Sequence, residues 1–150
     1  MPNLDLLKKG FLFQNLTPDE LEFFTDNLHE VWIAKDKFVF REGTTADSMF
    51  VIQAGTVEIL KDTDSGNQAL VSELKAGDHF GEMSFIDRGP RAASALARES
   101  LKLLEVKYED LERLIATKPG SGLKLYHALA TRLCQRIRQT TEDFSHLLLH

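Results

Sequence analysis

Cysteine is nearly absent from this chain. A single residue, Cys134, cannot form a disulfide framework, so a reducing compartment is expected. No stretch approaches the roughly 18 unbroken apolar residues of a membrane span. The N-terminal "MPNLDLLKKG" lacks the long apolar core of a signal peptide. A soluble, cytoplasmic protein without membrane contact is the expectation. Positive charge is also short: 18 Lys and Arg against 23 Asp and Glu leave a net charge of -5. That argues against a general polyanion binder, because nucleic-acid domains carry a basic surface. It still allows a small anionic ligand, which needs only one local cation. Histidine is sparse, and only His79 falls among the strand-like segments. A β-rich metalloenzyme needs clustered His and carboxylate ligands, and no Ser/His/Asp order stands out. No enzyme activity, cofactor or metal is therefore expected. Internal repeats and low-complexity tracts are missing as well.

What is present fits one domain over residues 1–150, with 43% hydrophobic and 27% charged residues. Three blocks follow one another: N-terminal helices over 1–29, strands over 30–107, and C-terminal helices over 108–150. Leu4, Leu7 and Phe11 lie at helical spacing. "TPDELEFF" reads as a helix start, with Thr17 as N-cap, Pro18 at the first helical position and Glu20 closing a capping box. From Val31 onward, short segments rich in β-branched and aromatic residues alternate with glycine-containing turns. Their spacing predicts a mainly β fold: an eight-stranded antiparallel jelly-roll β-barrel with flanking helices. "YEDLERLIA" then predicts a helix, "TKPGSG" interrupts it, and a long helix runs from about Ser121 toward His150.

Within the strand block, "FGEMSFIDRGPRAAS" (residues 80–94) holds a carboxylate and an arginine with little bulk between them. Gly81 allows close backbone approach, and a short helix over "EMSFID" would present free amides to an anion. Arg91 carries a fork matched to phosphate oxygens, while Ala92, Ala93 and Ser94 keep the walls low. Glu82, which a phosphate would repel, suits a sugar hydroxyl. Such a pocket would take a sugar phosphate. Chemistry alone leaves open the plainer alternative of a surface ion pair beside turn glycines.

The stretch resembles the phosphate-binding cassette of cyclic nucleotide-binding domains of the catabolite activator and protein kinase A regulatory subunit type. Their pattern is F-G-E, small or apolar residues, a spacer, then P-R-A-A-S/T. "VFREGTTADSMFVIQAGTVEIL" and "LKAGDHFGE" extend the resemblance, with Gly43, Gly55 and Gly77 at the usual turns. It covers residues 10 to 147. The resemblance implies that Arg91 pairs with the exocyclic oxygens of the cyclic phosphate and that Glu82 binds the ribose 2′-hydroxyl. The amides of Gly81, Met83, Ser84, Ala92 and Ala93 would add contacts. Ser84 stands where the family commonly has alanine. Ala92 stands where members favouring cyclic GMP often carry threonine, so cyclic AMP is the expected ligand, with cyclic GMP second.

Other features are weaker. "DTDSGNQALVSE" (62–73) partly imitates a calcium loop, but Gly66 and Asn67 occupy the wrong positions, and a hairpin turn is expected. His146 and His150 share a helix face without a third ligand. His79 is read as a strand-end residue and Cys134 as a packing residue. Leu129, Leu133, Ile137, Thr140, Phe144 and Leu147 recur at steps of three or four, the seam of a two-helix coil. The segment resembles the dimerisation helix of catabolite activators, which implies a homodimer. No helix-turn-helix module follows before His150, so direct DNA binding is not expected. The resulting expectation is a sensor module whose C-terminal helix answers the ligand, with Arg132 and Arg136 as lid candidates. A ligand-free structural or adaptor domain is the alternative.

Overall fold

The computed structural model describes residues 4–149. Its N-terminal block holds α1 (Leu4–Lys9), α2 (Pro18–Leu21) and a 3-10 turn (Glu22–Phe24). Thr17 and Glu20 close the expected capping box: Thr17 Oγ1 accepts from the Glu20 amide, and Glu20 Oε1 accepts from the Thr17 amide. Phe11, read as part of the first helix, lies beyond its end at Lys9.

Eight strands follow: β1 (His29–Ile33), β2 (Phe38–Phe40), β3 (Ser48–Ala54), β4 (Val57–Asp62), β5 (Gln68–Leu74), β6 (His79–Phe80), β7 (Ser94–Ala97) and β8 (Leu101–Lys107). They form two four-stranded antiparallel sheets, ordered β1-β8-β3-β6 and β2-β7-β4-β5. First pairs with eighth, second with seventh, third with sixth and fourth with fifth, as in a hairpin ribbon rolled onto itself. The expected barrel is corrected in one respect: the sheets face each other without closing into a continuous ring of hydrogen bonds. The edge strands β2 and β6 hold only three and two residues, too few to bridge the gap.

Strand β3 of the first sheet is covered on both faces, which is why it reads as a nearly unbroken apolar run. Met49 and Val51 point into a core shared with Leu7, Phe13, Phe24, Leu111, Leu125 and Leu129 of the helical blocks. Phe50 and Ile52 point the other way, into a core between the sheets with Val57, Phe80, Ala95 and Leu103. This is the period-2 alternation of a strand between two apolar layers. The 62–73 segment is a hairpin: the Thr63 amide donates to Asn67 O at 2.8 Å and Gly66 takes φ +84°.

The C-terminal block consists of α4 (Tyr108–Thr117) and α5 (Pro119–Leu149). Lys118 leaves the helical region, at φ -132° and ψ 83°, and Pro119 then opens α5. At Gly122 an added Cβ would lie 3.0 Å from the Ile115 side chain, so glycine permits close packing of the two helices. Buried Glu20 reaches Lys124 Nζ at 2.7 Å and accepts from Ser121 Oγ, tying the N-terminal block to the first turns of α5. Leu125 and Leu129 are buried, Leu133 is half-buried, and every described side chain beyond Arg136 is exposed. At about 1.5 Å per residue the helix is roughly 46 Å long, and its last third stands clear of the sheets. His150 lies outside the described residues, so the His146/His150 pair is not described. No helix among the described residues is long and apolar enough to cross a membrane.

Candidate functional site

The 80–94 stretch folds as a loop around a short helix, α3 (Met83–Asp87). Gly81 follows β6 with φ +86°, and a Cβ there would meet Arg91 Nη1 at 2.8 Å. Glycine is required twice over, by the backbone angle and by the guanidinium against it. The Arg88 amide closes α3 onto Ser84 O at 2.9 Å. Ser84 Oγ donates to Pro90 O at 3.1 Å, so the hydroxyl staples the two arms of the loop together. Beyond Pro90, the Arg91 amide donates to Thr44 O and Arg91 O accepts from the Gly43 amide, both at 2.8 Å. Ala92 is exposed, and its carbonyl accepts from Lys61 Nζ at 2.9 Å. Ala93 is half-buried and Met83 is exposed.

Glu82 and Arg91 are both buried, 2% and 6% exposed, yet they do not pair with each other. Arg91 Nη2 donates to Ser48 O at 2.8 Å, and Nη1 donates to Gly81 O at 3.1 Å and to Tyr108 Oη at 3.3 Å. Tyr108 Oη in turn donates to Gly81 O. The guanidinium lies 4.0 Å from the centroid of the Phe40 ring. Its Nε is buried and makes no hydrogen bond among the described residues, nor does a carboxylate approach within ion-pair distance. Burial draws the Arg91 pKa below its ordinary value, against the opposing pull of Tyr108, Asp47 and Glu105. Burial likewise raises the pKa of Tyr108.

Glu82 takes its partners from elsewhere. Arg136 of α5 donates from Nη1 to Glu82 Oε1 at 2.6 Å and from Nη2 to His79 O at 2.5 Å. His79, 1% exposed, holds Nδ1 3.4 Å from Glu82 Oε2, an ion pair whenever the imidazole is protonated. Burial works against the Glu82 charge, but His79 and Arg136 outweigh it and hold the carboxyl below the usual range. One turn earlier on α5, Arg132 Nη2 donates to Asp78 Oδ1 at 2.9 Å. A separate cleft of about 720 Å³ is lined by Ser84, Phe85, Arg88, Pro90 and Tyr108, but by neither Glu82 nor Arg91.

A buried arginine with no carboxylate at ion-pair distance among the described residues, Gly81 packed against it and a buried carboxylate next in sequence are the residue types that a phosphate-and-sugar cassette uses. The cyclic nucleotide-binding domain family matches residues 30–118. The chain belongs to that family. A CRP-like cAMP-activated global transcriptional regulator of Mycobacterium tuberculosis is 28% identical over 144 residues, 96% of this chain and 62% of its own. A cAMP-dependent protein kinase regulatory subunit of Blastocladiella emersonii is 29% identical over 119 residues, 79% of this chain and 30% of its own. The crystal structure of a cyclic nucleotide-binding domain from Methylobacillus flagellatus superposes with a TM-score of 0.80 at 26% identity, covering 93% of this chain and 79% of that one. The chain thus spans less than two thirds of the curated relatives' length.

In this cyclic nucleotide-binding domain the residues of the 80–94 stretch are consecutive, and the fold sets partners from distant parts of the chain against them. Tyr108, the first residue of "YEDLERLIA", joins the site through Arg91 and Gly81; its position between a strand and a helix, with an apolar ring and a polar tip, is the signal in the sequence. Lys61, at the end of a strand pattern, gave none. His79, set aside as a strand-end residue, lies against Glu82. Cys134, read as a packing residue, is exposed on α5. It stands away from the buried stripe of Leu125 and Leu129.

Proposed function

We propose that this domain binds a 3′,5′-cyclic nucleotide at the cassette, favours cyclic AMP over cyclic GMP, and passes occupancy to its C-terminal helix. The carrying observation is Arg91, a buried cation with an unfilled Nε donor and no acidic partner among the described residues. An unpaired buried charge is costly, and an anion beside it relieves that cost. A cyclic phosphate offers oxygens that a guanidinium engages in a fork. The amides of Gly81, Met83, Ser84, Ala92 and Ala93 would line the phosphate, and Glu82 would accept from the ribose 2′-hydroxyl. Ala92 offers no hydroxyl to a guanine, hence the preference for cyclic AMP. Relatives described as cAMP-activated and cAMP-dependent support it.

The exposed end of α5 carries Ile137, Phe144, Leu147 and Leu148, each at least 61% exposed. A second copy of this helix would cover that stripe, giving a homodimer. With a net charge of -5, DNA contact by these residues is not part of the reading. A ligand-free adaptor role has one observation in its favour: Arg91 and Glu82 both have partners inside the protein. Titration calorimetry with cyclic AMP and cyclic GMP separates the two. The sensor reading expects heat and a raised melting temperature with cyclic AMP, and weaker effects with cyclic GMP. Neither heat nor thermal shift at millimolar nucleotide would leave the adaptor reading standing.

A further inference from the structure

His79 is a buried titratable side chain that neither the phosphate nor the sugar reading uses. It is 1% exposed on β6, and its Nδ1 lies 3.4 Å from Glu82 Oε2. Both ring nitrogens and Oε2 are buried and make no hydrogen bond among the described residues. Buried polar atoms are seldom left unpaired, so three in one place ask for an explanation. The cross-strand partner of His79 on β3 is the apolar Val51, and the start of α3 contributes Glu82. From α5, Arg136 donates to the His79 carbonyl oxygen and to Glu82 Oε1. Arg132 of the same helix is paired with Asp78, the residue before His79.

We propose that His79 is a positioning residue for the sugar hydroxyl. A proton on Nδ1 fixes Glu82 Oε2, and discrimination of ribose from deoxyribose sharpens as the imidazole becomes protonated. This rests on the assignment of Glu82 to the ribose. A neutral imidazole can leave Nδ1 bare, whereas the imidazolium carries a proton on both nitrogens. Held at Oε1 alone, the carboxylate can still turn. Held at both oxygens, it is set before the ligand arrives, and such preorganisation raises affinity. The hydroxyl still finds an acceptor: an ionised carboxylate offers about four lone-pair sites, and Arg136 and His79 take one each. Glu82 is already held ionised, so between about pH 8 and pH 6 the charge that changes in this pair is the imidazole's. Cyclic AMP and its 2′-deoxy analogue carry the same phosphate charge. Any general attraction to a protonated His79 therefore cancels in the ratio of their affinities, and the contribution of the hydroxyl remains.

The test reads that ratio by calorimetric titration of both nucleotides into the full chain at about pH 8 and about pH 6. In the wild-type chain the preference for the ribose should grow at least about fivefold on acidification. In His79→Phe it should be weaker and the same at both pH values. His29, His127, His146 and His150 stay in place in the variant, so a pH response that they cause survives there. Smaller growth in the wild type, a fall, or a ratio that still follows pH in His79→Phe overturns the proposal. A second arm needs no variant. By reciprocity, cyclic AMP should raise the pH midpoint of the His79 ring resonances in NMR above that with the deoxy analogue. Equal midpoints overturn the proposal as well. If the wild-type chain ignores the 2′-hydroxyl at both pH values, the assignment of Glu82 fails and takes the proposal with it. If it prefers the ribose equally at both, only the positioning by His79 fails.

Discussion

Glu82 and Glu20 are carboxylates taken almost wholly out of water, and each stays ionised because its neighbours outweigh the cost of burial. For Glu82 these are His79 and Arg136; for Glu20 they are Lys124 and the Thr17 amide and hydroxyl. Both folded pKa values lie below the ordinary glutamate value of 4.5. The unfolded chain therefore binds these protons first, and the stabilisation is complete above that value. It is lost as pH falls through the lower folded values. Denaturant unfolding between pH 7 and pH 3 should show stability falling below about pH 4.5, and Glu82→Gln should flatten part of that fall. An identical pH slope in the variant would mean that Glu82 is not held ionised by the fold. Thr17, three residues before Glu20, was legible as its partner, but the long-range partners were not. Arg91 meets Ser48 and Tyr108 at separations of 43 and 17 residues, and Arg136 meets Glu82 across 54. Only the fold brings such pairs together. The 80–94 stretch was legible as one unit because its residues are consecutive.

At the scale of elements, α5 is two helices in one. Up to Arg136 it is docked, pinned by Glu20 at its start and by Asp78 and Glu82 further on. Beyond that point Ile137 and Phe144 are 65% and 61% exposed. The three-and-four spacing in the sequence runs through both halves, because one stripe first packs into the protein's own core and then continues on exposed positions. Periodicity alone does not mark where the change occurs. Replacing Ile137 and Phe144 by aspartate should convert a dimer into a monomer in sedimentation equilibrium. The folded protomer's stability should stay within about 0.5 kcal/mol, since exposed positions contribute little to it. A wild-type chain that is already monomeric at high concentration would remove the coil. The strands were legible for a related reason: short apolar runs between turns punctuated by Gly43, Gly55, Gly66 and Gly77, each at positive φ. Which strands share a sheet was not, because β6 has two residues and leaves almost no pattern.

For the molecule as a whole, one cassette joins three parts: the facing sheets through Arg91, the α4 junction through Tyr108, and α5 through Glu82. A ligand that engages Arg91 and Glu82 together touches all three at once. This is the physical basis for reading the domain as a sensor. The claim stands or falls on Arg91 as the phosphate partner. Calorimetric titration of cyclic AMP into the wild-type chain and into Arg91→Ala, both held below their melting transitions, tests it most directly. Charge-assisted hydrogen bonds of this kind are each worth about 1.5–3 kcal/mol, so the variant should bind roughly 10- to 100-fold more weakly. An affinity within twofold of wild type would place the phosphate elsewhere and contradict the account.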